Sequence, residues 1–305
     1  MAQKESAVMD DKLKNFGTLE IHFHGDITKN HQVSLRTLGK SLKHSQNAID
    51  RAYIDEARGG LIKNATMRSK DFPDAEFLVQ PPEPGGYIIR FIAQTHAGRK
   101  CLDKVSHVIN KIYTNDMKSG SSGEGSIQSQ AQLRLATLEA GAISAKFYDD
   151  AKNEDDPFVK RGYAERSIAK EIDQLLGIVR SKSSGDSQIE LTLTASRSYD
   201  FMFGADKSEL FHQQVARRAV GQPIIYEGKI IELNAKLLKG QFENKSSQKS
   251  CNLMFTSKQA FESAKNYLEA NMDMPIVFIG APVVEYDSYD IAAGDVVFLK
   301  ALANA

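Results

Sequence analysis

The sequence contains no tryptophan and only two cysteines, Cys101 and Cys251, which lie far apart in the chain. A disulfide framework is therefore not expected, and two reduced thiols in the cytoplasm are predicted. No apolar run approaches the roughly 18 to 20 residues of a membrane span, and residues 1–17 lack the apolar stretch of a signal peptide. These absences predict a soluble, cytoplasmic protein with no membrane partner.

The chain also has no net charge, because 39 basic side chains balance 39 acidic ones. No global field therefore attracts nucleic acid or an anionic membrane. The chain of 305 residues, 41% hydrophobic and 26% charged, has the composition of a globular protein of about two domains.

Complete catalytic motifs are absent as well. The sequence has neither the GxSxG motif of a nucleophilic serine nor the GxxxxGK[ST] motif of a phosphate-binding loop, and neither cysteine has an acid–base partner nearby in sequence. This favours a non-enzymatic binding or scaffold protein that needs no cofactor.

Residues 1–118 are predicted to form an α+β domain with the element order βαββα. Leu19, Ile21 and Phe23 alternate with polar residues, which is typical of a half-buried strand. A helix with a three- and four-residue apolar repeat follows over about 31–57, and Gly59-Gly60 ends it. Two strands joined by PPEPGG and a second helix complete the domain.

The middle of the chain is predicted to be largely helical. Residues 119–126, SGSSGEGS, have the composition of a flexible linker. Residues 127–220 then show two helical patterns, a β-hairpin and a short helix.

Residues 221–305 carry the most specific fold signal. Three extended segments, a helix and two further extended segments follow one another, which is the order of a small OB-like β-barrel. Gly228 interrupts the first segment and predicts a bulge or a sharp coil there. The inward face of the helix is predicted to consist of Phe261, Ala264 and Leu268.

A candidate binding surface lies on the first three barrel strands. If the partner is single-stranded nucleic acid, Lys229, Lys236 and Lys239 would contact phosphates and Tyr226 or Phe242 would stack on bases. The alternatives are a solvated barrel edge and a protein-binding surface. Because the net charge is zero, a protein partner is favoured over nucleic acid.

A second candidate site is the His22-x-His24 pair with Asp26. Histidines two residues apart on a strand point to the same side, as a metal pair requires. The pair resembles the HxH strand of metal-dependent hydrolases such as the amidohydrolase and PHP superfamilies, whose further ligands are missing here. The alternative function is therefore a metal-dependent hydrolase or nuclease using His22 and His24, and the structural alternative is two solvent-facing histidines on an edge strand.

A family resemblance covers both ends of the chain. The segments LEIHFHGDITKNHQVSLRTLGKSL, GQPIIYEGKI and PIVFIGAPVVEYDSYDIAAGDVVFL resemble uncharacterised two-domain bacterial proteins that are often encoded near phage-defence or mobile-element genes. The resemblance implies a role in antiviral defence or its regulation, and it brings no catalytic residues.

Overall fold

The structure is a computed structural model that describes residues 17–29, 32–60, 65–80, 87–115, 125–153, 157–181, 184–271, 274–286 and 289–302. Most of the predicted linker at 119–126 lies outside these residues. The chain begins with β1 (Thr18–His24), β2 (Thr28–Lys29), β3 (Gln32–Val33), α1 (Leu35–Arg58), β4 (Phe77–Val79), β5 (Tyr87–Ala93), α2 (His96–Asn115), α3 (Ile127–Glu139), β6 (Lys146–Phe147), α4 (Tyr148–Asn153) and α5 (Pro157–Leu176). It continues with β7 (Gln188–Thr194), β8 (Ser198–Phe203), α6 (Ala205–Ala216), β9 (Arg218–Val220), β10 (Ile224–Asn234), β11 (Lys239–Asn244), β12 (Lys249–Met254), α7 (Lys258–Ala270), β13 (Ile276–Glu285) and β14 (Val296–Leu302). Short 3-10 helices span Gly25–Ile27 and Ser69–Ala75.

The chain divides into two compact units that are discontinuous in sequence. The first comprises Met1–Gly120 and Ala164–Ala216, and the second comprises Ser121–Tyr163 and Arg217–Ala305. This division differs from the expected order of an N-terminal domain, a helical middle and a barrel. The middle segment is shared between the two units.

The first unit contains a five-stranded antiparallel sheet in the order β4-β5-β1-β7-β8. The hairpin β7–β8, expected in the middle segment, supplies two of these strands. Strand β1 is therefore the central strand, with β5 on one side and β7 on the other, and the expectation that it lies at a sheet edge is wrong.

One face of this sheet carries the core of the first unit. Leu19, Ile21 and Phe23 of β1 are buried, as their alternation predicts. Residues of α1, α2 and α5 line a small cavity together with Leu19 and residues of β7, so these helices cover that face. Helix α1 begins after Ser34, whose hydroxyl accepts the Thr37 N–H, and ends at Gly59 with φ at +65°.

The second unit contains a closed five-stranded barrel. Strands β10, β11, β12, β14 and β13 follow one another around it, and β13 pairs with β10 to close the circle. The pairing of β12 with β14 is parallel, and the other four are antiparallel. Strand β6 adds to β10, and β9 adds to β13.

The interior of the barrel is aromatic. The rings of Tyr226, Phe242 and Phe278 lie within 5.1–5.7 Å of one another, centroid to centroid, and all three side chains are buried. Helix α7 belongs to the same cluster, and its predicted inward face of Phe261, Ala264 and Leu268 is confirmed. Side chains thus fill the barrel, as expected for one of this size.

Residues before position 221 also belong to the core of the barrel unit. Tyr148 and Ala151 of α4 pack into the barrel cluster, and Tyr148 donates a hydrogen bond to the Ile291 carbonyl oxygen at 3.1 Å. Ala131 of α3 packs against the opposite side of β13 and β14, where Val283 and other residues form a second cluster. A unit starting at residue 221 would expose this apolar surface.

Gly228 permits a close approach between two barrel strands. A Cβ at this position would collide with the carbonyl oxygen of Glu243 on β11. The expected irregularity of β10 lies further along, because the register with β11 shifts between Ile230 and Glu232 and leaves Ile231 as the additional residue. Gly228 therefore allows the strand to coil, and the bulge occurs at Ile231.

We expect Gly228→Ala to destabilise the barrel by about 1–3 kcal/mol, because β10 and β11 must move apart to admit the methyl group. Hydrogen exchange of the β10 and β11 amides measures this locally. Gly39→Ala is the control: the glycine lies in α1 with open space around it, so alanine should stabilise that helix by about 0.5–1 kcal/mol and leave barrel exchange unchanged. Unchanged barrel exchange in Gly228→Ala would contradict the packing argument.

Candidate functional site

A cleft of about 230 Å³ crosses the outer face of the barrel. Strand alternation creates it, since Phe242 and Cys251 point inward while Gln241 and Asn252, paired across β11 and β12, point outward. The residues lining it come from β10, β11, β12, the β10–β11 turn and the residue before β14: Glu232, Asn234, Leu237, Lys239, Gly240, Gln241, Asn252, Met254 and Asp295.

The lining of the cleft combines amide groups, carboxylates and exposed apolar atoms. The Asn252 amide donates to an Asp295 carboxylate oxygen at 2.8 Å, which connects β12 to the residue before β14. The Asn234 side chain accepts the Leu237 N–H at 3.0 Å and holds the turn at the rim. Leu237 itself is 60% exposed, so the cleft has an apolar rim open to a ligand.

The two predicted stacking residues do not line this cleft. Tyr226 is 1% exposed and Phe242 is fully buried, and both pack inside the barrel. They therefore offer no surface to a base, and their prediction as binding residues is corrected. The physical reason is the strand period, because positions of β10 and β11 that face outward alternate with the aromatic positions.

The three predicted lysines are exposed but are not grouped around one ligand position. Lys239 lines the cleft, and Lys236 lies in the adjoining β10–β11 turn. Lys229 lies elsewhere on β10, opposite Glu243 of β11. Because Glu232 and Asp295 also line the cleft, its lining carries more acidic than basic groups.

On the first unit, His22 and His24 do lie together on the sheet face opposite the core. Their ring centroids are 3.7 Å apart. Glu190 of β7 pairs with His22 in the sheet register, and its Oε2 lies 3.4 Å from His22 Nδ1 and 3.0 Å from His24 Nε2. The three side chains are between one fifth and one third exposed, so solvent reaches the group.

Both burial and the neighbouring His24 lower the pKa of His22, with burial the larger cause, while Glu190 opposes the shift. The neutral form of the imidazole is thereby favoured. A neutral ring keeps a lone pair available to a metal ion.

Asp26 does not join the two histidines. Its carboxylate accepts the Asp186 N–H at 3.3 Å, at the turn that precedes β7. Asp26 therefore has a role in holding this turn, and Glu190 occupies the position expected for it as the third candidate ligand. Glu190 is not recognisable as a ligand from local sequence, because nothing near β1 indicates that β7 is its neighbour. The one signal in the sequence is the alternation of IELTLT, which matches that of β1.

The cysteines are core residues in two different places. Cys101 is fully buried in α2, and burial, with smaller contributions from Glu56 and Asp50, raises the pKa of its thiol to about 12. Cys251 is 1% exposed inside the barrel. Neither thiol is therefore poised as a nucleophile.

Comparison with known proteins adds no relative, since no family profile, curated protein or solved structure matches the chain. Within the described residues, no helix is long and apolar enough to cross a membrane.

We expect both thiols to resist Ellman's reagent in the native protein, because they are buried and Cys101 is protonated at neutral pH. In denaturant, two thiols per chain should react, which serves as the control for their reduced state. Fast reaction of one thiol without denaturant would show that its surroundings open readily.

Proposed function

We propose that this protein is a non-enzymatic binding protein whose barrel is of the OB type and holds a segment of a protein partner in the cleft on β10, β11 and β12. The observation that supports this most directly is the position of the cleft. In OB barrels the second and third strands, with the loops after the first and fourth strands, form the ligand face. The lining of the cleft comes from the corresponding strands, from the β10–β11 turn and from the end of the β13–β14 loop.

The order of barrel strands supports the OB assignment. Numbered from β10, the sheet runs first, second, third, fifth, fourth and back to the first, with the third and fifth parallel and α7 between the third and fourth. This arrangement supports the proposal that the barrel is of the OB type, which the order of elements in the sequence predicts.

The chemistry of the cleft favours a protein segment over nucleic acid. Amide side chains such as Gln241 and Asn252 both donate and accept hydrogen bonds, which suits a peptide backbone. Leu237 and Met254 supply apolar contact. Phosphates would meet Glu232 and Asp295, and the aromatic rings that bases stack on are inside the barrel.

The resemblance to proteins encoded near phage-defence genes suggests where the partner comes from. The products of neighbouring genes are the first candidates, and the proposed role in antiviral defence depends on that partner.

We expect Leu237→Asp to weaken partner binding by about 1–2 kcal/mol, or roughly 5- to 30-fold, because it puts a charge into an apolar contact. Peptides are first selected on the full chain from a displayed library, and their affinity is then measured by fluorescence anisotropy. Ile231→Asp is the matched control, since Ile231 is 48% exposed on β10 but does not line the cleft.

Equal weakening by Leu237→Asp and Ile231→Asp would contradict the cleft as the binding surface. The same chain is titrated with single-stranded DNA at two salt concentrations. If the chain binds DNA in a salt-sensitive way and Lys239→Ala weakens that binding, the partner is nucleic acid and the proposal of a protein partner is wrong.

A second candidate function, a metal-dependent hydrolase or nuclease using His22 and His24, is favoured by the position of Glu190. Two imidazoles and a carboxylate are a ligand set of catalytic zinc sites, which leave one position for water. A screen of phosphodiester and phosphomonoester substrates with added Zn²⁺, Mn²⁺ or Mg²⁺ tests it. Activity that survives the double replacement His22→Ala, His24→Ala would rule this site out as its source.

A further inference from the structure

We propose that His22, His24 and Glu190 form a binding site for Zn²⁺ on the outer face of the five-stranded sheet. The proposal concerns metal binding itself and is independent of the barrel cleft and of any hydrolytic activity. In the described part of the chain, these side chains are the only group of three or more histidine, cysteine or acidic residues whose ligand atoms come close enough to share an ion.

The distances suit a tetrahedral ion. Zinc bonds to imidazole nitrogen and carboxylate oxygen are about 2.0–2.2 Å long, which places neighbouring ligand atoms roughly 3.3 Å apart. The separations of 3.4 Å from His22 Nδ1 and 3.0 Å from His24 Nε2 to Glu190 Oε2 bracket this value. All three ligand atoms lie within 4.8 Å of one another, and solvent can supply the fourth ligand because the group is partly exposed.

The backbone prearranges these ligands. Alternation along β1 puts both imidazoles on one face, and the inward residues Ile21 and Phe23 fix that orientation by their burial. The register between β1 and β7 then sets Glu190 opposite His22. The ligands therefore lie on neighbouring strands in the middle of a sheet, where positions are defined more precisely than on loops.

The ligand types favour zinc over magnesium or calcium. The latter two ions prefer sites made of oxygen atoms, whereas imidazole nitrogen suits zinc and neighbouring transition metals.

Other histidine–carboxylate contacts in the first unit lack a second imidazole. His44 Nδ1 lies 2.8 Å from Glu171, whose carboxylate also accepts the Asn47 amide. His212 contacts Asp173, whose carboxylate also contacts Arg180. In each case one imidazole meets a carboxylate that is already bonded to a second donor, which makes His44 a suitable matched control.

Zinc at this site would connect two distant parts of the chain. His24 and Glu190 are 166 residues apart in sequence. An ion held by both would bind the folded sheet and not the unfolded chain, so zinc should raise the unfolding temperature of the first unit.

The test uses the full chain without a histidine tag, freed of metal with EDTA and titrated with Zn²⁺ against a chromophoric chelator. We expect one ion per chain in the wild type. His22→Ala and His24→Ala should each weaken binding by at least the roughly 10- to 100-fold typical of losing an outer partner of a metal site. Glu190→Gln should also weaken it, because the amide carries no charge. Co²⁺ should give the visible absorption of a four-coordinate ion, and His24→Ala should abolish it.

The controls distinguish a loss of zinc binding from a loss of folding and from any effect of a substitution in the barrel. His44→Ala and Leu237→Asp should bind Zn²⁺ as the wild type does. Thermal unfolding in EDTA shows whether each variant folds, and only the wild type and the controls should gain stability on adding Zn²⁺. Absence of saturable binding in the wild type, or equal affinity in the His22→Ala, His24→Ala double variant, would overturn the proposal.

Discussion

The pairing of β1 with β7 is the contact on which the first unit depends. Seven residues of β1, Thr18–His24, face seven of β7 in an uninterrupted antiparallel register. This pairing makes β1 the central strand, gives the inward residues of both strands a common core and sets Glu190 beside the two histidines. The entropic cost of closing so long a loop rises only with the logarithm of its length, so the intervening chain can contribute to a second unit.

The sequence predicted the individual strands and helices whose formation depends on neighbouring residues. The alternation of Leu19, Ile21 and Phe23 indicated β1, and the apolar repeat with Gly59 indicated α1 and its end, although the helix begins at Leu35, after the Ser34 cap, and not near residue 31. The barrel followed from the order of its elements, because neighbours in sequence pair in space around most of its circumference. Which strands make up the five-stranded sheet could not be predicted from the sequence, since no residue near β1 specifies a partner strand as distant as β7.

The wrong prediction of two aromatic binding residues has the same cause, since local sequence does not specify the register between neighbouring strands. Tyr226 and Lys229 are three positions apart on β10, so they share a surface only if a bulge between them, such as the one predicted at Gly228, shifts the register. The bulge lies at Ile231, beyond both residues, so the regular period holds between them and Tyr226 stays inside while Lys229 stays outside. Composition showed that aromatic and basic residues share these strands, but only the register decides which of them share a face.

Both candidate sites lie on sheet faces whose opposite sides are filled by core residues. The inward residues Ile21, Phe23 and Phe242 define where the strands lie, and the outward positions remain partly exposed to solvent. Polar side chains are the usual occupants of such positions. The backbone pairing of β1 with β7 does not itself require two imidazoles, with ring centroids 3.7 Å apart, beside one carboxylate. The contacts of Glu190 with both imidazoles link β1 to β7, and the same three side chains form the proposed zinc site.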